Sequence, residues 1–176
     1  MDIAAALTIQ LFLAIVLGAS AYKKVTDMES FKASVETYAE FPQGVAGVLI
    51  PLVPLSEFTV AVALLAPATS IYAAVVAAVL FAGYGLLIAK AVLTGRTAAD
   101  CGCSFSGKTI PLRGALLWRN LGLVIAALVL AFAPAQEVPS GADVALAAFG
   151  AAALLMNYLV VEALIALPQL NRGGVQ

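Results

Sequence analysis

Long apolar runs separated by short polar segments make up most of the chain. A membrane-spanning helix needs about 20 predominantly apolar residues. The first run begins with Asp2 and no Lys or Arg, which favours a retained span over a secretory signal peptide. The pattern predicts an all-α, polytopic transmembrane helix bundle that forms a single integral membrane domain over residues 1–176. The five predicted spans cover about residues 3–22, 45–66, 71–93, 115–133 and 144–167.

Two segments depart from this simple pattern. Between the first two spans, Phe31, Val35 and Tyr38 recur at helical spacing among charged residues, which predicts a short amphipathic helix at the interface or capping the bundle. The second span contains Pro51 and Pro54. Because proline removes a backbone donor and bends a helix, we expect the regular part of this span to begin near Pro54.

Composition narrows the function classes. Hydrophobic residues make up 63% of the chain and charged residues 11%, against about 25% charged in soluble domains. The chain has no histidine, so the usual general base and the commonest metal ligand are missing. Two cysteines do not complete a tetrahedral zinc site, and we expect no metal. Because basic residues are not in excess, the composition gives no support for nucleic-acid binding. We expect the protein to be surrounded by the lipid bilayer.

The basic residues lie on one side of the predicted five-span arrangement. Cytoplasmic loops collect Lys and Arg, so the charges predict an outside N-terminus, an inside C-terminus and a cytoplasmic connection between the third and fourth spans. The nine residues are Lys23, Lys24, Lys32, Lys90, Arg96, Lys108, Arg113, Arg119 and Arg172.

That same connection contains both cysteines, in the sequence Asp100-Cys101-Gly102-Cys103. Two extended residues place their Cα atoms about 6.6–7 Å apart, at the limit for a disulfide. A bridge therefore needs a tight turn, and Gly102 permits one. So small a ring is strained and easily reduced, which suits a redox relay better than a structural staple.

The charges around the cysteines also bear on their chemistry. Arg96, Lys108, Arg113 and Arg119 favour the thiolate form, which is the reactive one. Asp100 opposes this effect, and its role would be to tune the reactivity of the cysteines or to orient them. The alternative is that the two thiols never cross-link and belong to an ordinary loop.

Ionisable residues inside spans are costly and are usually paired or functional. Glu57 in the second span and Arg119 at the start of the fourth are the main cases. One interpretation is a Glu57–Arg119 ion pair that holds the bundle together, with Lys23 as another partner for Glu57. The other places Arg119 and Asn120 near the dithiol, where they polarise a quinone carbonyl or a substrate thiolate.

The remaining polar and aromatic residues of the spans are weaker candidates. Asn157 lies in the fifth span, and Glu162 lies near its predicted end, where we expect it to reach the interface. Trp118, Tyr22 and Tyr72 lie at span ends, a position typical of interfacial anchors.

A set of spaced residues resembles the methylamine utilisation protein MauE family of DoxX-like membrane proteins. The resemblance covers about residues 3–133, and its most specific part is Asp-Cys-Gly-Cys combined with Arg119-Asn120. It implies a four-helix core of the DoxX or DsbB kind, to which this chain adds a fifth, C-terminal span. The matching residues are Ser20, Lys23, Lys24, Asp27, Phe31, Tyr38, Pro42, Pro54, Glu57, Gly95, Arg96, Asp100, Cys101, Gly102, Cys103, Gly107, Pro111, Arg119 and Asn120.

The resemblance implies work in disulfide formation or maturation of exported proteins, alongside a thioredoxin-like exported partner, in the inner (cytoplasmic) membrane. We therefore predict a thiol–disulfide oxidoreductase in which Cys101 and Cys103 cycle between dithiol and disulfide. Electrons would pass to a membrane quinone by analogy with DsbB-like bundles. The alternative is a non-catalytic membrane subunit that docks and stabilises a redox partner or respiratory complex.

The two lines of inference disagree about the membrane face of the dithiol. Disulfide formation belongs in the oxidising exported compartment, whereas the charges place Cys101 and Cys103 in the cytoplasm. Either one apolar segment is re-entrant, for which the span with Pro51 and Pro54 is the best candidate, or the dithiol takes up reducing equivalents from the cytoplasm.

Overall fold

The computed structural model describes residues 2–39, 43–94, 114–133 and 139–170. Within these ranges all regular secondary structure is α-helical. The helices are α1 (Ile3–Thr26), α2 (Met28–Ala39), α3 (Gln43–Leu65), α4 (Ser70–Leu93), α5 (Gly114–Ala131) and α6 (Gly141–Leu170). The predicted all-α class is confirmed, and all five predicted spans correspond to apolar helices.

Four of these helices, α1, α3, α4 and α6, are long and apolar enough to cross a bilayer. Helix α5 has 18 residues, at the short end of the range of about 17–25 residues for a span. The chain therefore forms a polytopic helical membrane bundle. Its outer surface is rich in exposed Leu, Val and Phe side chains, as expected where lipid takes the place of water.

Helix α1 is the central element of the bundle. It packs against α3 and α6 and also contacts α2, α4 and α5, while α4 packs mainly on α5. Leu13 and Leu17 of α1 are fully buried and join Leu64 of α3 in the main apolar core. At the same interface the Gln10 side chain donates a hydrogen bond to the Leu64 carbonyl. A polar group buried in this way needs a partner, and the backbone of α3 provides it.

Small residues let the helices approach closely, as is usual in membrane bundles. On α4, Ala73, Ala74, Ala77 and Ala78 are all buried. On α6, Gly150 lies so close to α1 that a Cβ atom there would be 2.8 Å from Thr8 Oγ1. The α1–α6 contact therefore requires glycine at this position.

Helix α3 continues through both of its prolines, so the expectation that its regular part begins near Pro54 was wrong. It extends from Gln43 to Leu65 with Pro51 and Pro54 inside. Each proline removes one backbone donor, but transmembrane helices tolerate this loss when neighbouring helices support the chain. A break at the prolines was the reason for treating this segment as re-entrant, and α3 has no such break.

Helix α2 confirms the predicted amphipathic element. It contacts α1, α3 and α4. Phe31 is 6% exposed, whereas the adjacent Lys32, which points about 100° away around the helix, is exposed. Burial of Phe31 fixes α2 as a cap over one end of the bundle. We call this end the loop end, because α4 ends there at Leu93 and α5 begins there at Gly114.

Helix α6 begins with a reciprocal cap. Ser140 Oγ accepts a hydrogen bond from the Asp143 backbone N–H at 3.3 Å, and the Asp143 carboxylate accepts one from the Ser140 N–H at 2.9 Å. These bonds satisfy two backbone donors that a helix start otherwise leaves open. The polar turn and the helix start are thus set by the same two residues.

Candidate functional site

Residues Asp100, Cys101, Gly102 and Cys103 lie outside the described residues, so their predicted roles are untested by the geometry. The helices on either side of them are described. Ile88 and Ala91 near the end of α4 are buried together with Leu116 near the start of α5. This cluster holds the two helix ends side by side at the loop end. The end of α4 and the start of α5 are therefore neighbours in the bundle.

Directly inside the loop end lies a buried ion pair between α1 and α3. Lys24 Nζ is 2.8 Å from Glu57 Oε1 and 3.0 Å from Oε2, and both side chains are fully buried. Side chains of a helix tilt towards its N-terminus, so Lys24, two residues before the end of α1, reaches back into the bundle. Burial removes the hydration of both charges, and this close pairing compensates for much of that cost.

This pair corrects the predicted partners of Glu57. Among the described residues, the Glu57 carboxylate contacts Lys24, Ser20 and Tyr84, and Arg119 is not one of its partners. The predicted Glu57–Arg119 pair was wrong, and so was Lys23 as the alternative. Adjacent helical residues point about 100° apart, and Lys24 is the one that faces the interior of the bundle.

Two hydroxyl groups complete the network around the pair. Glu57 Oε1 accepts hydrogen bonds from Tyr84 Oη at 2.6 Å and from Ser20 Oγ at 3.0 Å. Lys24 Nζ donates to Ser20 Oγ at 2.5 Å. The Lys24 ammonium also lies 5.7 Å from the ring centre of Phe31 and 5.1 Å from that of Tyr84. Aromatic faces at these distances stabilise a buried cation further.

Arg119 and Asn120 form a second polar group on α5, in the first two turns below the loop end. Arg119 is 8% exposed, and its guanidinium lies 5.3 Å from the ring centre of Tyr158 on α6. Asn120 is 3% exposed, and its Nδ2 donates to the Leu116 carbonyl at 3.3 Å. Both residues are therefore buried in the bundle, whereas their predicted proximity to the dithiol stays a prediction because Cys101 and Cys103 lie outside the described residues.

A small internal cavity joins the two polar groups. Its volume is about 20 Å³, enough for about one water molecule. Ser20 and Tyr84, which hydrogen-bond Glu57, therefore face the same space as Arg119 and Asn120. The residues lining the cavity are Val16, Ser20, Phe81, Tyr84, Arg119, Asn120, Leu123 and Tyr158.

The structure also changes the interpretation of α6. Glu162 was expected to reach the interface, but it is 1% exposed, because α6 continues past it to Leu170. Asn157, in contrast, is exposed on the outer surface. The predicted anchors Trp118, Tyr22 and Tyr72 are 75%, 72% and 75% exposed, as an interfacial position requires.

Sequence reasoning missed three members of the site. Lys24 was assigned to a connecting loop, although Ser20 precedes it by one helical turn and Leu17 by two, which places all three on one face. Tyr84 and Tyr158 were not singled out. The available signal was that each places a polar atom inside an apolar span.

Within the part of the chain that the structure describes, no group of three or more His, Cys, Asp or Glu residues could hold a metal ion.

The fold and the buried polar site define a class: a multi-pass helical membrane protein with an internal charged network at one end.

Comparison with known proteins narrows this class to a family. The family described as methylamine utilisation protein MauE matches residues 2–133. The chain therefore belongs to the MauE family, as the sequence resemblance indicated.

Individual relatives carry the same description, methylamine utilization protein MauE. The protein of Paracoccus denitrificans is 35% identical over 132 residues, covering 75% of this chain and 71% of its own. That of Methylophilus methylotrophus is 31% identical over 169 residues, covering 95% and 89%. That of Methylorubrum extorquens is 33% identical over 149 residues, covering 84% and 80%. No solved structure matches the chain significantly.

Proposed function

We propose that this chain is a membrane thiol–disulfide oxidoreductase that supports disulfide formation in exported proteins, with Cys101 and Cys103 as its redox centre. A thiolate of a thioredoxin-like exported partner attacks the Cys101–Cys103 disulfide and forms a mixed disulfide. The second partner thiolate resolves it. The partner loses two electrons and two protons to become a disulfide, and the Cys101–Cys103 pair gains them as two thiols.

The observation that carries this proposal is the position of the buried polar network. Ser20, Lys24, Glu57 and Tyr84 lie inside the end of the bundle at which α4 ends and α5 begins. Charged groups inside a membrane bundle are costly and are generally functional. The two helices that flank the only two cysteines in the sequence end and begin at this same end of the bundle, which supports a link between the network and thiol chemistry.

Each polar group then has a role. Arg119 lies five residues inside α5, about 7.5 Å along the helix axis from its start. In the proposed mechanism its positive charge favours the thiolate form of a cysteine that approaches the loop end. Glu57 is a positioning residue that acts through Lys24 and Tyr84. Asn120 lines the internal cavity together with Arg119, and Asp100 tunes the adjacent Cys101. Which cysteine attacks and which resolves is left to the trapping experiment.

The proposed setting is the cytoplasmic membrane, with a client in methylamine utilisation, as the relatives' description suggests.

Two of the nine basic residues, Lys24 and Arg119, are buried and do not act as loop charges. This weakens the charge argument for a cytoplasmic dithiol, which now rests on seven residues.

Trapping with single cysteine variants tests the exchange chemistry. In membranes of cells that carry Cys101→Ser or Cys103→Ser, we expect one variant to accumulate a mixed disulfide with an exported protein, visible on a non-reducing gel. The double variant is the matched control and forms none. If both single variants retain full maturation of exported disulfide proteins, the redox proposal fails.

The alternative function is a non-catalytic subunit that docks and stabilises a redox partner. It predicts that the double cysteine variant still co-purifies with the partner and still sustains its activity. A membrane-impermeant maleimide added to intact cells shows on which side of the membrane the dithiol lies. Labelling of Cys101 and Cys103 supports the exported dithiol that the redox function requires. Protection of both cysteines contradicts it.

A further inference from the structure

An open groove runs along the outer surface between α4 and α5, close to the loop end. Its volume is about 600 Å³, within the range of about 300–1,000 Å³ for small-molecule sites. Small residues of α4 and larger apolar residues of α5 face each other across part of the groove. Its walls are Ala82, Gly85 and Ala89 on α4, and Leu117, Leu121 and Val124 on α5.

The groove faces the surroundings of the bundle. Leu86 and Trp118 line it and are 72% and 75% exposed. Because both belong to membrane-embedded helices, a ligand enters this groove sideways from the lipid. Ala89 lies four residues before the end of α4, and Leu117 lies three residues after the start of α5. The upper part of the groove is therefore about one helical turn from the end of α4 and the start of α5, the two helices between which the cysteines lie in the sequence.

The inner side of this apolar groove contains a buried polar group. Asn120 lines both the groove and the internal cavity with Arg119, Ser20 and Tyr84. Among the described residues, its single hydrogen bond is from Nδ2 to the Leu116 carbonyl. A carboxamide has two N–H donors and an acceptor oxygen, so one N–H and the oxygen remain for a ligand.

We propose that this groove binds a lipid-soluble quinone, with the ring towards Asn120 and the isoprenoid chain along the α4–α5 surface. This proposal rests on the proposed function, for which it names the electron acceptor. Cys101 and Cys103 lose two electrons and two protons as their S–S bond forms. The two quinone carbonyl oxygens take these up and become the hydroxyl groups of the quinol.

The buried amide is what favours a quinone over a simple acyl chain. An acyl chain fills an apolar groove but leaves the free N–H and carbonyl oxygen of Asn120 without a partner, which costs free energy in a low-dielectric setting. A quinone carbonyl accepts from the N–H, and a quinol hydroxyl also donates to the amide oxygen. One residue thus serves both redox states of the ligand.

The groove contains its own spectroscopic probe, because Trp118 is the only tryptophan in the chain. The full-length protein in detergent micelles is titrated with decylubiquinone, and the quenching of Trp118 fluorescence is recorded. We expect saturable quenching in the wild-type protein. Gly85→Leu fills the inner wall beside Asn120, whose Cβ is 3.9 Å from an added Cβ, and abolishes the saturable component.

Gly83→Leu is the matched control, since a Cβ added at Gly83 meets nothing within 4 Å and Gly83 does not line the groove. It should quench like the wild type. Asn120→Leu, which keeps the volume but removes the amide, should weaken binding by about tenfold, as expected for one lost hydrogen bond. A brominated phospholipid, the acyl-chain probe, should quench wild type and Asn120→Leu alike.

Non-saturating quenching in the wild type, or equal quenching in the Gly85→Leu and Gly83→Leu variants, would overturn the quinone site. So would an unchanged affinity of Asn120→Leu for decylubiquinone, because that result means that the groove takes any apolar chain. None of these outcomes affects mixed-disulfide trapping by the cysteine variants. Failure of the quinone site and failure of the thiol–disulfide function are therefore distinguishable.

Discussion

Replacing one member of the Lys24–Glu57 pair should destabilise the bundle strongly. Lys24→Met leaves the Glu57 carboxylate fully buried. The carboxylate keeps its two hydroxyl donors but loses the cation that neutralises it. Breaking a buried ion pair from one side costs about 3–5 kcal/mol, and Glu57→Leu should cost a similar amount because it removes the carboxylate that neutralises the Lys24 charge. If the two losses were independent, the double variant would lose about 6–10 kcal/mol.

The structure predicts a much smaller loss for the double variant. Lys24→Met with Glu57→Leu removes both charges and leaves only the Tyr84 and Ser20 hydroxyls without their acceptor. Replacing a buried pair by apolar residues is close to neutral, and an unsatisfied buried hydroxyl costs about 1–3 kcal/mol. Since two hydroxyls are affected, we expect the double variant to lose about 2–6 kcal/mol, which is about 4 kcal/mol less than the sum of the single losses when the centres of the two ranges are compared.

Reversible unfolding by SDS in mixed micelles, followed by Trp118 fluorescence and circular dichroism, measures these free energies. Lys23→Met is the control, because the neighbouring lysine does not contact Glu57 and should change stability by less than about 1 kcal/mol. The reasoning is refuted if Lys24→Met costs no more than Lys23→Met. It is equally refuted if the double variant loses the sum of the single losses.

Three further predictions concern packing. Gly150→Ala should cost about 1–3 kcal/mol of unfolding free energy by overpacking against Thr8. Gly83→Ala, which meets no neighbour within 4 Å, should instead stabilise the helix by up to about 1 kcal/mol; equal changes in the two variants would contradict the close α1–α6 approach. Ser140→Ala should remove the cap of α6 and cost about 1 kcal/mol, measured in the same unfolding assay. Phe31→Ala should release α2 and accelerate tryptic cleavage after Lys32 at least severalfold, and an unchanged rate would contradict its role as a cap.

The apolar runs were sufficient to predict the helices, because hydrophobic length and the spacing of Phe31 and Val35 depend on local sequence alone. The ion pair was not predictable in the same way. Two adjacent lysines, Lys23 and Lys24, carry the same chemistry, and only the rotation of α1 against α3 decides which one is buried. That rotation is fixed by contacts such as Gln10 with the Leu64 carbonyl, between residues far apart in the chain.

The errors elsewhere have the same origin. Glu162 was placed at the interface because the apolar run ends near it, yet α6 continues for eight residues beyond it, to Leu170. The prolines of α3 were given the weight that they have in isolated helices, whereas α1 and α4 pack against α3. In both cases tertiary packing outweighed a local signal. The chemistry assigned to Cys101 and Cys103 stays a prediction from their spacing.

The buried pair between α1 and α3 also affects how the chain enters the membrane. Lys24 is synthesised 33 residues before Glu57, so at about 5–20 residues per second the ribosome needs about 2–7 s to produce its partner. During this interval α1 holds a cation for which the bilayer interior offers no counter-ion. Its long side chain can reach the headgroup layer until α3 arrives. Insertion of α3 is then favoured by charge neutralisation as well as by hydrophobicity, and the first helical hairpin is selected before the remaining helices are made.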